Sequence, residues 1–429
     1  MNWTRLFAEV EDARRRTLEL IGDLTNEQLW GPRLPTVSPL LWEVGHVGWF
    51  EERWVLREAL KRAPLHDDLD ALYDPQAVPR ETRWDVALPV RTDMIDYLER
   101  VQEQVVEALH EGELDGEKAA YLAMALSHED AHGEQMLAAR QTMRYPEPRL
   151  QQPKARWPFA GPLPGDAHVP GGKFRLGAEP GRLAWVHDNE QWAHEVEVKP
   201  FRISRAAVTQ AEFAAFVTEG GYRERKYWSD EGWKWLASTG AAHPLYWRRV
   251  HDGWERRDFE RWLPLEPHRP VIHVNWFEAE AYCRFVDRRL PTELEWEVAA
   301  AGEPDGQGGL APKKRLYPWG DELPTPERAA LDARLFGAVD VGALAAGDSA
   351  FGCRQMIGST WEWTQSDFVP YPGFAPGPVR NYSEPWFGTR KVLRGGSWAT
   401  RSRLIHNEWR AFHTPDRRDL FTGFRTCAL

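Results

Sequence analysis

Cysteine is scarce in this sequence. The 429 residues include three, Cys283, Cys353 and Cys427. They are odd in number, far apart and never in a C-x-x-C pair. A disulfide framework and a thiolate zinc site are thereby excluded as organising features, and a reducing, cytoplasmic setting is expected. Basic charge is in the minority: 54 Lys and Arg stand against 65 Asp and Glu, for a formal net charge of −11. That balance argues against a phosphate backbone as partner. No stretch approaches the roughly 20 apolar residues that a membrane span needs. Met1-Asn-Trp-Thr-Arg opens without the apolar segment of a secretory leader. No nucleic acid and no membrane is therefore expected as a partner. A clean internal repeat is missing as well. What the chain has in plenty is tryptophan, 23 residues, material for ordinary core packing and for an aromatic pocket.

The length predicts two domains rather than one core. Leu6, Val10, Ala13, Leu18 and Ile21 recur at helical spacing and predict an amphipathic helix over 3–30. Ser38-Pro39 opens a second helix that runs to about Arg62. Residues 63–88 read as irregular, a third helix runs from about Thr92 to Glu111, and a fourth from Glu117 to about Met143. Four such helices predict an antiparallel bundle. Pro146, Pro148, Pro153, Pro158, Pro162 and Pro164 then mark a linker. The expected division is a bundle over 1–148, a proline-rich linker over 149–168 and a second domain over 169–429. In that second domain Val169–Gly177 reads as a hairpin and Val196–Ile203 as one alternating strand. Thr209–Val217 and Asn275–Val286 read as short helices.

The stretch around which the chain is organised is Ala125-Leu-Ser-His128-Glu-Asp-Ala-His132-Gly-Glu134 in the fourth helix. His128 and His132, four residues apart, place two imidazoles on one helix face, one turn apart. An isolated pair at this spacing is more often structural than metal-binding. Two features favour a metal here. Glu129, Asp130 and Glu134 crowd the same turns and offer carboxylates to support a ligand imidazole. His46 lies in an apolar helix, Leu40-Leu-Trp-Glu-Val-Gly-His46-Val-Gly-Trp-Phe. Three neutral imidazoles with coordination positions left open describe a catalytic site better than a structural one.

The second domain carries Pro170-Gly-Gly-Lys-Phe-Arg-Leu-Gly177, Arg289-Leu-Pro-Thr-Glu-Leu-Glu-Trp-Glu297, Tyr317-Pro-Trp-Gly-Asp321, Gly358-Ser-Thr-Trp-Glu-Trp-Thr364, Leu393-Arg-Gly-Gly-Ser-Trp398 and Gly423-Phe-Arg425. In that order these words resemble the formylglycine-generating-enzyme-like (FGE-sulfatase) domain, and the N-terminal part resembles a DinB-like four-helix bundle. The pairing resembles the ergothioneine-pathway non-heme iron sulfoxide synthases over nearly the whole chain. The resemblance implies an α+β chain: a DinB-like four-helix bundle followed by a C-type-lectin-like α+β domain with few regular elements. It implies Fe(II) as cofactor, O2 as co-substrate and hercynine as substrate, with His46, His128 and His132 as the catalytic metal ligands. Three neutral nitrogens leave up to three positions of an octahedral iron free. A quaternary trimethylammonium takes aromatic faces as its host. Phe412 is the first choice for that wall, with Trp398 and Trp409 behind it. Arg80 and Arg83 lie near the region that carries donor-binding arginines in the sulfoxide synthases.

Three substrate-side positions depart from that family's pattern. Ala131 stands where Gln is frequent, and Phe368 where a Tyr commonly donates a proton. Ala411-Phe412-His413 replaces Asn-Trp-Asp or Asn-Phe-Phe. The runs Tyr382–Ser397 and Asp419–Leu429 look most like the selenoneine synthase branch, which implies a selenosugar as the donor. The alternative within the family is a gamma-glutamylcysteine or cysteine donor. An authentic formylglycine-generating enzyme is disfavoured because Trp398–Trp409 contains no cysteine. A thiol transferase built on the bundle alone leaves the rest of the chain without a task. A non-catalytic DinB and lectin-like binding protein remains the reading outside enzymes.

Overall fold

The computed structural model describes residues 3–151 and 157–429. The chain forms two compact units, Met1–Gln152 and Pro153–Leu429. Of the expected proline-rich linker, residues 152–156 lie outside the described residues. Trp157 lies under the Arg269 guanidinium, 3.8 Å from its ring centroid, and the Ala160 and Gly161 amides donate to Asp340. Those residues are therefore part of the second unit's packing.

In the first unit the long helices are Trp3–Glu19, Leu40–Glu51, Arg91–His110 and Lys118–Met143. The helix expected over 3–30 is broken. A turn at 20–25 ends its first part, and Thr25 caps a separate short helix, Asn26–Trp30, with a reciprocal Thr25–Gln28 capping box. All twelve residues of Leu40–Glu51 are buried, which explains why this segment is apolar all round rather than amphipathic. The helix continues as a wider π-turn segment, Glu52–Ala59. Within 63–88, expected to be irregular, a short helix Leu69–Tyr73 packs on Leu40–Glu51. Gly45 permits the approach: a Cβ there would lie 2.3 Å from the Tyr73 ring.

The second unit combines small sheets with short helices. The segment Val169–Gly177 is not a hairpin. Strand Asp166–Val169 pairs with Phe201–Ser204, whereas Gly172–Leu176 pairs with His194–Val198. The single strand expected over 196–203 is for the same reason two strands in two sheets, since Pro200 lacks the amide to continue a ladder. The expected short helices form as Gln210–Thr218 and Trp276–Phe285, each opened by a capping box, from Thr209 and Asn275. A four-stranded sheet orders Ala411–His413, Lys391–Arg394, Trp361–Asp367 and Thr422–Gly423, the last pairing in parallel. Beneath it lies a buried ionic lattice. Arg394 binds Glu293 and Glu297 at 2.7 Å each, Arg410 binds Glu293 at 2.6 Å, and Arg425 binds Glu362 at 2.6 Å. Glu293, Glu297, Glu362, Arg394 and Arg425, all from the sequence words quoted above, thus hold the second unit's interior together. Buried charges are tolerated there because each is paired and hydrogen-bonded.

Candidate metal centre

Two helices of the first unit bring three histidines to one point. His46 comes from Leu40–Glu51, and His128 and His132 come from successive turns of Lys118–Met143. One ligand atom from each lies within 4.8 Å of the others. The three ring centroids are 4.9, 4.9 and 4.3 Å apart, with interplanar angles of 62°, 58° and 41°. None of the three pairs is stacked face to face.

Partners on the far ring nitrogens fix two of the imidazoles. His46 Nδ1 sits 2.8 Å from the Tyr73 carbonyl oxygen, which can only accept, so Nδ1 carries the proton and the Nε2 lone pair is left. His132 Nδ1 lies 2.7 Å from Glu43 Oε2, and the same logic leaves its Nε2. His46 Nε2 faces His128 Nε2 at 3.2 Å. Burial pushes His46 down to about 3, so it is neutral at physiological pH. Burial alone would raise the Glu43 carboxyl. The hydrogen bonds with His132 and Ser38 and the charge of Arg83 outweigh it and hold Glu43 well below the usual carboxylate range. The ring of His128 stacks on Phe50, centroids 3.6 Å apart at 5°, and Trp42 stacks on His46 at 4.7 Å and 11°.

The carboxylate supporting His132 comes from the other helix, not from the neighbours of the histidine pair. Glu129 is instead committed to Arg14 at 3.0 Å and Thr17 at 2.6 Å. Trp42 and Glu43 precede His46 by four and three residues, a spacing that already placed them on its helix face. The Tyr73 carbonyl had no signal in the sequence, because any residue type could supply it.

The other candidate residues are distributed as follows. Ala131 is half-buried beside His132. Arg80 is exposed, with Nη1 3.4 Å from the Thr36 carbonyl, and Arg83 is buried in the first unit. In the second unit Phe368 is fully buried and stacks on Phe412, centroids 4.0 Å apart at 14°. Phe412 and His413 are half-buried on strand Ala411–His413, opposite Val392 and Lys391. Trp398 and Trp409 belong to the interior: Trp398 packs on Phe421 at 4.6 Å, and Trp409 meets His187 edge-on at 4.8 Å.

Comparison with known proteins covers both units. Residues 155–428 match the sulfatase-modifying factor enzyme 1-like domain, and residues 9–136 match the DinB superfamily. A hercynine oxygenase of Mycolicibacterium thermoresistibile is 39% identical over 428 residues, 98% of this chain and 94% of the relative. A hercynine oxygenase of Mycobacterium tuberculosis is 37% identical, covering 98% of each. A formylglycine-generating enzyme of Streptomyces coelicolor is 33% identical over 62% of this chain and 88% of its own.

Proposed function

The chain belongs to the hercynine oxygenase family, and we propose that it oxidises hercynine with O2 at an Fe(II) held by His46, His128 and His132, joining the imidazole C2 to a selenosugar. The observation that carries the metal assignment is the pair of fixed tautomers. The Tyr73 carbonyl and the Glu43 carboxylate hold protons on the Nδ1 atoms of His46 and His132, so two Nε2 lone pairs remain beside His128. A set of three neutral nitrogens suits a redox-active divalent ion with open positions better than a closed structural site.

When bound, Fe(II) would supply the electrons that let O2 react and hold substrate and oxygen together. The chain's own residues do the rest. Glu43 keeps the His132 proton on Nδ1, Tyr73 does the same for His46, and the Trp42 and Phe50 rings cover the two imidazoles they stack on. The net reaction balances: one C–H and one Se–H bond are lost, one C–Se and one Se=O bond form, and the second oxygen atom leaves as water. Phe412 is the aromatic residue proposed to meet the trimethylammonium group. A Phe412→Ala enzyme is expected to keep its metal and bind hercynine more weakly, as read by calorimetry, and unchanged affinity would remove Phe412 from this role.

The donor assignment rests on residue chemistry. Gamma-glutamylcysteine carries two carboxylates and an ammonium, which need directional charged partners. Ala411-Phe412-His413 contains no acid, and Phe368 is a buried ring without a hydroxyl. Losing one charged hydrogen bond costs about 1.5–3 kcal/mol, tenfold or more in affinity. The competing reading is a sulfur donor. Fe(II)-loaded enzyme given hercynine, O2 and equal selenosugar, gamma-glutamylcysteine and cysteine, read by mass spectrometry, distinguishes them. The selenoxide adduct is expected, and preferential turnover of either thiol would contradict the selenium assignment.

A further inference from the structure

Arg83 was expected near a donor site, yet its surroundings belong to the histidines. It is 8% exposed. Its Nη1 donates to Ser38 Oγ at 2.7 Å, and its Nε lies 3.4 Å from the Val78 carbonyl. The guanidinium carbon lies 3.4 Å from the Trp42 ring centroid, and Nη1 is 3.6 Å from Glu43 Oε1. Each of the last two contacts leads to a different histidine. Trp42, its indole nitrogen held by the Leu72 carbonyl at 2.9 Å, stacks on His46. Glu43, through its other oxygen, takes His132 Nδ1 at 2.7 Å.

We infer that Arg83 is a positioning residue of the metal centre, a clamp that orients His46 through Trp42 and His132 through Glu43. The inference rests on the reading that the three histidines hold a metal. Two physical reasons support it. A buried carboxylate needs a cation or several donors to stay ionised and fixed, and Arg83 is the cation beside Glu43. A planar guanidinium can lie flat on an indole and present its edge to a carboxylate and a hydroxyl at once, which an ammonium cannot do.

The test is Co(II) binding to apo full-length protein, followed by ligand-field absorption, which needs neither substrate nor turnover. Arg83→Met should weaken Co(II) binding by roughly tenfold to a hundredfold, the usual effect of losing an outer partner of a metal ligand, and should change the absorption envelope. Arg83→Lys, which restores charge without the planar fork, should recover part of the affinity. Ser38→Ala removes one bond of the guanidinium and one of Glu43 but no charge, and carries the test if Arg83→Met does not fold. For Ser38→Ala a several-fold loss with a shifted spectrum is expected. Wild-type Co(II) affinity and spectrum in Arg83→Met, or in Ser38→Ala where that variant stands in, would overturn the clamp. Full Co(II) affinity in His132→Ala would instead overturn the metal reading beneath it, and the clamp with it.

Discussion

His46 and His132 reach the same chemical state by different means, one through a backbone carbonyl and one through a carboxylate. A carbonyl cannot release its hold by protonation, whereas a carboxylate can, so the two supports differ in kind. Each single His→Ala change at 46, 128 and 132 is expected to abolish stoichiometric iron binding, measured by metal analysis, while circular dichroism stays that of the native fold. A variant retaining full iron would strike that residue from the ligand set. That His128 and His132 share a helix face was legible in the sequence, because a four-residue spacing on a helix has one geometric meaning, whereas His46 was singled out by its apolar helix and the family resemblance. Their supports were only half legible. Glu43 is one of many carboxylates near a histidine in sequence, and choosing it over Glu129 required knowing that Arg14 and Thr17 occupy Glu129.

Between elements, two contacts shape the bundle around the site. Gly45 lets Tyr73 lie on the helix that carries His46, and a Cβ would come within 2.3 Å of the Tyr73 ring. Gly45→Ala gains about 1 kcal/mol in helix propensity, but forcing the buried Tyr73 aside costs about 1–3 kcal/mol and moves the carbonyl that fixes His46. A net loss in urea stability together with weaker Co(II) binding is expected, and a more stable protein with unchanged binding would contradict this. Arg14 is buried between Glu51, at 2.7 Å, and Glu129. Burial pushes the Glu51 carboxyl up to about 7, against the opposing charge of Arg14. Arg14→Met leaves two buried carboxylates without their cation and should cost about 3–5 kcal/mol, read from urea denaturation. Adding Glu51→Gln and Glu129→Gln should recover much of it, and no recovery would mean that packing rather than charge explains the loss. Helix positions were readable from periodicity, but the break after Glu19 and the strand pairings of 166–204 were not. Which strand pairs with which depends on long-range packing that alternation does not encode.

At the scale of the whole chain, titration in the second unit gives a separate check. Burial, with the charge of His406, pushes His187 down to about 3 from an ordinary 6.5. A histidine depressed in the folded state contributes stability that is present above pH 6.5 and is lost as pH falls from there toward 3. His187→Phe should keep the packing against Tyr382 and Trp409 while flattening that loss. The difference in denaturation midpoint between pH 7 and pH 4.5 should be smaller in the variant than in the parent protein. An equal difference would show that His187 is not buried as a neutral group. The two-unit organisation was legible from composition and sequence words, whereas which residues pack against Trp398 and Trp409 was not, because those neighbours come from distant segments. The central claim, that the three-histidine centre uses iron and O2 on hercynine, is tested most directly by oxygen uptake. Anaerobically Fe(II)-loaded protein with a chalcogen donor present should consume O2 when hercynine is added and not before. Uptake that ignores hercynine, or none with it, would contradict the account.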